Sequence, residues 1–202
     1  MKLLHLDSSI LGQNSVSRQL TAAIVAGLRQ QHGELSISYR DLAAQPIAHL
    51  SGEIIAANFT EQADWNDTQR QESALSNELI EEFLAADILV IGAPMYNFSI
   101  PSQLKSWIDR VAAAGRTFKY TENGPQGLAG GKKVLIASTR GGVYSTEQGQ
   151  LMDFQEDYLR TVLGFLGVTD IEFVRAEAVN MGEDKRATAI HAAKQDIARL
   201  TR

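Results

Sequence analysis

The 202-residue sequence contains no cysteine, only four prolines and only four histidines. Without cysteine the chain can form no disulfide, use no thiolate nucleophile and offer no sulfur ligand to a metal. The histidines, His5, His32, His49 and His191, are scattered and lack the spacing of a metal site. We therefore expect no metal centre.

Long hydrophobic runs and an excess of positive charge are also absent. Few apolar residues precede Asp7, too few for a signal peptide, and no later run is long enough to span a membrane. The net charge of −5 argues against nucleic acid or an anionic membrane surface as the main partner. The chain is 44% hydrophobic and 21% charged, as in ordinary globular proteins. The sequence predicts one cytoplasmic domain over residues 1–202.

Short apolar or alternating runs alternate with longer amphipathic stretches along the chain. Strands are predicted at 2–6, 35–39, 88–91, 134–137 and 171–174, and helices at about 15–32, 68–86, 101–111, 151–166 and 190–200. This alternation predicts a parallel sheet with helices on both faces. The second and fifth strands alternate in polarity, which is typical of half-exposed edge strands, whereas the other three are nearly all apolar. The pattern favours the order 2-1-3-4-5, the flavodoxin-like doubly wound α/β sheet.

Several expectations concern local structure. Gly92-Ala93-Pro94 is expected to end the third strand, and Pro101 to begin the helix that follows. The helix over 151–166 is expected to bury Leu151, Phe154, Tyr158 and Val162. Two segments, 41–67 and 115–131, show no clean periodicity, so we predict short helices in the first and an irregular projection in the second.

The loop after the first strand is rich in hydroxyl groups. Ser9, Ser15, Val16 and Ser17 surround a predicted helix N-terminus, whose unpaired N–H groups and dipole favour a phosphate dianion. The chain has neither G-x-G-x-x-G after this strand nor a G-x-x-x-x-G-K-[ST] motif, which disfavours a dinucleotide fold and a P-loop. A phosphomonoester such as that of FMN suits the loop, although such serines also serve simply as helix caps.

The loops after the third and fourth strands offer surfaces for a flat ring. Met95, Tyr96, Asn97 and Phe98 could flank the ring with apolar and aromatic surface. Thr139, Arg140, Gly141 and Gly142 could bring backbone N–H groups to the pyrimidine end of an isoalloxazine. A core aromatic and a glycine turn are the alternative interpretations of the two loops taken singly. All three loops follow strands that meet at the predicted ligand crevice.

The motifs D-S-S-I-L-G, A-P-M-Y-N-F, F-K-Y-T-E-N-G-P and S-T-R-G-G resemble those of the FMN-dependent NADH:quinone and azo-dye reductases of bacteria. By that resemblance Ser9 and residues 15–17 bind the FMN phosphate, residues 95–98 line the ring, and residues 139–142 meet its N1/O2 side. Some relatives carry a histidine shortly after the double glycine, where this chain has Tyr144. A tyrosine can donate a hydrogen bond there but carries no positive charge near pH 7.

The resemblance implies a two-electron reductase that takes hydride from NADH or NADPH and passes it to quinones and azo compounds in a ping-pong cycle. No side chain is expected to act as a nucleophile. We also expect a homodimer with shared active sites, in which Asn97, Phe98, Phe118 and Tyr120 bind substrate. Two alternatives stay open: a flavodoxin-type electron carrier without its own substrate pocket, and a non-flavin regulatory or esterase-like α/β protein. The absence of G-x-S-x-G weakens the esterase version.

Overall fold

A computed structural model describes residues 1–201, and it contains one five-stranded sheet and one separate hairpin. The sheet strands are β1 Lys2–Asp7, β2 Ser36–Asp41, β3 Ile88–Pro94, β6 Lys133–Thr139 and β7 Asp170–Ala176. All neighbouring strands of the sheet are parallel, and their order is β2-β1-β3-β6-β7. Counted along the chain without the hairpin strands, this is the predicted order 2-1-3-4-5. The flavodoxin-like α/β fold is therefore confirmed.

Seven α-helices lie within the described residues; six precede the last strand and the seventh follows it. They are α1 Val16–His32, α2 Gly52–Ala56, α3 Asp67–Ala85, α4 Ser102–Val111, α5 Glu147–Gln150, α6 Glu156–Phe165 and α7 Glu183–Leu200. Short 3-10 turns lie at Gly12–Asn14, Ala57–Phe59 and Gln62–Asp64. The segment 41–67 thus contains short helices, as the sequence predicts. No helix within residues 1–201 combines the length and apolarity needed to cross a bilayer.

Two hydrophobic cores lie on opposite faces of the sheet. One contains the buried faces of α3, α4 and α6, with Phe83 and Trp107 in an edge-to-face contact at 5.6 Å. The other contains those of α1 and α7, including Leu20, Ile24 and Ile197. β3 is buried along its whole length, whereas β2 is half-exposed, in agreement with central and edge positions.

The third strand is longer than expected. Gly92-Ala93-Pro94 continues β3 and pairs with β6 as far as Pro94 opposite Thr139, so the predicted break at Gly92 is wrong. A Cβ at Gly92 would lie 2.7 Å from the Asp7 carboxylate, which explains a glycine inside this strand. Proline is tolerated at this position because the hydrogen bond to the Thr139 carbonyl comes from the Met95 N–H, so that bond requires no N–H of Pro94.

The projection predicted as irregular is a β-hairpin. β4 Phe118–Thr121 pairs antiparallel with β5 Gly124–Gly127. Of the two hairpin aromatic residues expected to bind substrate, Phe118 is 9% exposed and packs on Phe165 with ring centroids 4.6 Å apart. Only Tyr120, which is 75% exposed, projects into solvent.

The sixth helix begins five residues later than expected. Asp153 accepts hydrogen bonds from the N–H groups of Gln155 and Glu156 and so starts α6. Leu151 and Phe154 precede the helix and are 79% and 62% exposed, so the prediction that they face the core is wrong. Tyr158 and Val162 do pack against the core, as expected. The spacing of apolar residues continues back to Leu151, but the hydrogen bonds to the Asp153 carboxylate set the start of the helix after that residue.

Candidate functional site

The sheet register brings the three predicted loops to one edge. Asp7 lies opposite Gly92, and Pro94 lies opposite Thr139, so β1, β3 and β6 end side by side. The Met95 N–H donates to the Thr139 carbonyl at 2.8 Å, which joins the second loop to the third. The Tyr96 hydroxyl lies 3.2 Å from the Ser9 hydroxyl and accepts from the Ile10 N–H, which joins the second loop to the first. The three loops therefore form one continuous surface.

The first loop forms a cradle of hydroxyl groups at the start of α1. Ser15 is the N-cap of this helix, and its Oγ accepts from the Arg18 N–H at 3.2 Å. Ser9, Ser15 and Ser17 are all at most 1% exposed, and the Ser15 and Ser17 hydroxyls lie 3.0 Å apart. The N–H groups of Val16 and Ser17 have no acceptor inside an α-helix, because the first turn lacks preceding carbonyls. Hydroxyl and amide donors thus converge at a helix N-terminus.

Arg18 fixes the position of this cradle through hydrogen bonds to Asp41 and to the Ser9 backbone. Its guanidinium bonds both carboxylate oxygens of Asp41 at 2.6 Å and the Ser9 carbonyl at 2.9 Å. Asp41 also accepts from the N–H groups of Ala43 and Ala44. A fork of this kind fixes geometry as well as charge. Arg18 therefore ties the cradle to the end of β2.

Asp7, the last residue of β1, is buried beside the cradle. Its carboxylate accepts from Thr21 Oγ1 at 2.9 Å and from the Tyr39 hydroxyl at 3.1 Å, and His5 Nε2 lies 3.5 Å away. Burial favours a higher pKa for Asp7, but the nearby His5 and these hydrogen bonds outweigh it and lower the pKa. Burial and the Asp7 charge raise the pKa of Tyr39 to about 12. Asp7 is thus an ionised acceptor and Tyr39 a neutral donor.

The second loop contains an unusual tight turn. Tyr96 and Ser99 exchange backbone hydrogen bonds at 2.9 and 3.1 Å, while Asn97 and Phe98 between them have φ values of 48° and 72°. Two successive residues in the left-handed region are typical of a type I′ turn. Asparagine adopts this conformation readily, whereas phenylalanine does so at a cost. The turn leaves both side chains exposed at the sheet edge.

The third loop uses its two glycines differently. A Cβ at Gly141 would lie 2.8 Å from the Asn180 amide nitrogen, so this glycine admits a neighbouring side chain. A Cβ at Gly142 would meet only the Tyr144 ring, at 3.5 Å. The sequence predicts an open backbone surface at both glycines, and the structure has one at Gly142, whereas Asn180 lies against Gly141.

Arg140 is turned into the protein. Its guanidinium lies 2.7 Å from Asp153, 2.6 Å from Glu156 and 3.0 Å from Glu177, and its side chain is only 3% exposed. Its backbone N–H donates to the Ala176 carbonyl. A direct contact between Arg140 and a cofactor stays a prediction. In this structure the Arg140 guanidinium is paired with the three carboxylates instead.

Three aromatic residues stand beside the second and third loops, and we call Phe98, Tyr144 and Phe154 the aromatic wall. The Phe98 and Tyr144 rings meet edge-to-face with centroids 6.5 Å apart. The Phe154 N–H donates to the Phe98 carbonyl at 3.0 Å. Phe154 is a candidate site residue that the sequence did not predict, because the expected helix placed its side chain in the core.

These features meet the requirements of a flavin mononucleotide. The cradle supplies buried hydroxyl and amide donors of the kind that a phosphate dianion needs. The Arg18 Nε is buried and has no hydrogen-bond partner among the described residues. The turn and the wall supply apolar surface for a flat ring, and Gly142 supplies an unobstructed backbone. The residues present therefore fit the group.

Comparison with known proteins agrees with this geometry. Residues 1–200 match the sequence model of the flavodoxin-like fold family. The chain is 70% identical over 200 residues to an FMN-dependent NADH:quinone oxidoreductase of Chromobacterium violaceum, with 99% of each chain covered. A protein of the same name from Polaromonas naphthalenivorans is 60% identical over 97% of this chain and 91% of its own length. The chain belongs to the family of FMN-dependent NADH:quinone oxidoreductases.

Solved structures extend the likeness to azoreductases. An azoreductase from Bacillus anthracis strain Sterne superposes with a TM-score of 0.90 at 30% identity, over 100% of this chain and 98% of that one. An FMN-dependent NADH-azoreductase from the Ames Ancestor strain, solved with FMN, superposes with a TM-score of 0.87 at 24% identity, over 100% of this chain and 99% of that one. At 24% identity, the comparison with the Ames Ancestor protein supports a shared fold only. The flavodoxin-like quinone and azo reductases thus share this architecture.

Proposed function

We propose that this chain is an FMN-dependent reductase that takes hydride from NADH and delivers it to quinones and to the azo bond of aromatic azo compounds. Donor and acceptor use one pocket in turn, in a ping-pong cycle in the cytoplasm. The observation that carries this proposal is the convergence of the buried serine cradle, the Asn97–Phe98 turn and the open Gly142 backbone at one sheet edge. Relatives named for the same activity support it.

The proposed roles follow from the contacts of each loop. Ser9, Ser15 and Ser17, with the N–H groups of Val16 and Ser17, hold the phosphate of FMN. Residues 95–98 flank the ring, and the segment 139–142 approaches its pyrimidine end. Bound FMN supplies the hydride chemistry, accepting two electrons from NADH and passing them to the acceptor. The protein binds and orients both substrates, and no side chain is required as a nucleophile.

We further propose a homodimer whose hairpins complete the partner's sites. Tyr120 is 75% exposed on β4, and aromatic rings that project in this way are typical of interfaces. A cleft of about 770 Å³ lies beside the hairpin, and its lining includes Phe59, which is 87% exposed, and Ile55, which is 43% exposed. Such apolar surface is suited to a second copy related by twofold symmetry. Phe118 supports the hairpin from within its own subunit.

A flavodoxin-type electron carrier is the second candidate function. Such a carrier exchanges single electrons with protein partners and needs no substrate pocket. The structured excursion 41–67 and the hairpin both enlarge the surroundings of the sheet beyond what a carrier requires. The reductase is therefore the function that the geometry supports best.

Steady-state kinetics test the proposal. The purified protein should be yellow, and NADH alone should support reduction of a quinone. Initial rates measured against NADH at several fixed quinone concentrations should give parallel lines in double-reciprocal plots. Intersecting lines would contradict the single pocket used in turn. A protein that binds no FMN would contradict the reductase itself.

A further inference from the structure

Arg140 connects three separate parts of the site, although the sequence places it in the cofactor-binding loop. Its guanidinium pairs with Asp153 and Glu156, at the start of α6, and with Glu177, just after β7. Arg140 Nε also donates to Gln155 Oε1 at 3.3 Å. We propose that the Arg140 side chain has a positioning role: its guanidinium fixes the aromatic wall and acts on FMN and substrate only through that wall. The inference rests on the proposed function for its link to FMN.

The connection to Tyr144 runs through Glu177. The same Glu177 oxygen that pairs with Arg140 accepts from the Tyr144 N–H at 3.0 Å. Burial alone favours a higher pKa for Glu177, but hydrogen bonds from Ser145, Tyr144 and Arg140 lower the pKa. Glu177 thus remains an ionised acceptor that holds the chain just beyond the double glycine.

The connection to Phe98 and Phe154 runs through the start of α6. Asp153 pairs with Arg140 through one oxygen and accepts from the Gln155 N–H through the other. The buried Gln155 side chain accepts from Ser138 Oγ at 3.0 Å and donates to the Ala93 carbonyl at 2.9 Å. Phe154 lies between these two anchored residues, and its N–H holds the carbonyl of the strained Phe98. One guanidinium therefore fixes the positions of all three wall residues.

The chemistry of this contact requires arginine. A guanidinium presents donors in a rigid fork, so it can serve several carboxylates in fixed directions. A lysine ammonium is a point charge on a flexible chain and cannot reproduce that arrangement. Without any cation, Asp153, Glu156 and Glu177 would repel one another in a largely buried cluster. Tyr144 and Phe154 would then separate from Phe98.

Arg175 supplies a matched control. It pairs with Glu156 through two bonds of 2.8 and 2.6 Å, so it belongs to the same carboxylate cluster. Within the described residues, Arg175 forms no hydrogen bond with Asp153 or Glu177. Its side chain is 48% exposed. Arg175→Met therefore removes one positive charge from the cluster, and Arg175→Lys removes only the guanidinium geometry; both leave the Arg140 contacts with Asp153 and Glu177 in place.

The test compares Arg140→Lys and Arg140→Met with Arg175→Lys and Arg175→Met. In the Arg140 variants we expect the KM for a naphthoquinone acceptor to rise by about tenfold, a loss typical of charged hydrogen bonds. The kcat should fall less than the KM rises, and the FMN dissociation constant should increase. Arg140→Lys should be more thermally stable than Arg140→Met, because it keeps the positive charge. Its KM should stay raised, because lysine lacks the rigid guanidinium geometry. The Arg175 variants should stay within about twofold of the parent in both constants.

Hydrogen exchange of the FMN-free protein gives a second readout. The amides of Tyr144 and Phe154 should exchange faster in Arg140→Lys and remain protected in Arg175→Lys. If Arg140→Met does not fold, Arg140→Lys and Glu177→Gln provide the same comparison. Arg140 variants that match the Arg175 variants in KM and exchange would overturn the positioning role. A parent protein that binds no FMN would instead overturn the proposed function, while the exchange data would still decide whether Arg140 holds the wall.

Discussion

Ser15 and Ser17 illustrate how single residues prepare the site. Both are buried, and their hydroxyls lie within hydrogen-bonding distance of each other rather than of a core partner. A buried hydroxyl normally needs a partner, and a phosphate would give both of them a stronger acceptor. The capping role of Ser15 and the proposed phosphate role are compatible, because one oxygen can accept from Arg18 and still donate its own hydrogen.

Substitution of Ser17 tests the cradle. Ser17→Ala should weaken FMN binding by roughly tenfold, since a hydrogen bond to a charged group is lost. Ser17→Asp should abolish measurable binding, because a carboxylate would face the phosphate dianion. Titration of the FMN-free protein by flavin fluorescence measures both constants.

Gln19→Asp is the control for the charge of the Ser17→Asp variant. Gln19 lies in the same first turn of α1 but is exposed, so its carboxylate would face solvent. Folding should be checked by circular dichroism, because Ser17 has no exposed surface to accommodate a larger group. If Ser17→Ala binds FMN as tightly as the parent protein, the serines do not form the phosphate site.

At the scale of elements, the hairpin is locked to the body of the protein by a contact between two glycines. A Cβ at Gly127, the last residue of β5, would lie 2.1 Å from the backbone nitrogen of Gly167. Gly167 itself has a φ of 97°, which favours glycine. The Ala129 N–H donates to the Leu166 carbonyl at 2.8 Å and continues the contact. The hairpin is therefore seated on the end of α6.

Alanine substitutions at Gly127 and Gly164 distinguish the close contact of the hairpin from the conformational entropy that any glycine adds to the unfolded chain. Gly127→Ala should lower the free energy of unfolding by about 1–3 kcal/mol, because the backbone must move apart. Gly164→Ala should raise it by about 0.5–1 kcal/mol, since Gly164 lies inside α6 with open space around it. Urea denaturation measures both values. Equal effects of the two substitutions would contradict the close seating of the hairpin.

Tyr120 tests whether the hairpin serves a neighbouring subunit. Tyr120→Ala should raise the KM for bulky acceptors more than it weakens FMN binding, because the ring is proposed to complete the partner's acceptor site and is not part of the serine cradle. Mixed dimers that pair this variant with a Ser17→Asp subunit give the sharper measurement. Only the Tyr120→Ala subunit of this dimer binds FMN, and the intact Tyr120 of the other subunit completes its site, so a shared site predicts a KM like that of the parent protein. A defect confined to the subunit that carries Tyr120→Ala would contradict a shared site.

At the scale of the whole molecule, the hydrogen-bonded pair Tyr39 and Asp7 makes stability depend on pH. The raised pKa of Tyr39, about 12, means that the folded state keeps this proton more tightly than the unfolded state. Its contribution to stability is present below an unfolded pKa of about 10 and is lost as the pH rises toward 12. Asp7 acts in the opposite direction: its lowered pKa gives stability above its unfolded value, lost as the pH falls through the folded value.

Removing the Tyr39 phenol should flatten the alkaline limb of this profile. We expect the loss of unfolding free energy between pH 9 and pH 11.5 to be smaller in Tyr39→Phe than in the parent protein. Tyr120→Phe is the control, because that exposed phenol has no hydrogen bond within the described residues. Chemical denaturation at the two pH values gives the comparison. An identical loss in Tyr39→Phe and in the control would show that Tyr39 does not stabilise the folded state.

The sequence by itself determined the architecture and the three loops of the candidate site. Buried strands are nearly all apolar and edge strands alternate, so polarity alone predicted the strand order. The serines of the first loop and the glycines of the third were found because helix starts and tight backbone approach need those residue types.

Only the tertiary structure decided which side chains face the site. The helical pattern of the sequence continues back to Leu151, so the later start of α6 at Asp153, which leaves Phe154 exposed, was missed. The hairpin escaped detection because its pairing depends on a seat provided by Gly167, 40 residues beyond Gly127. Arg140 looked like a cofactor ligand in the sequence, yet its three carboxylate partners come from two distant segments. Such contacts follow from packing between elements, which local sequence patterns do not encode.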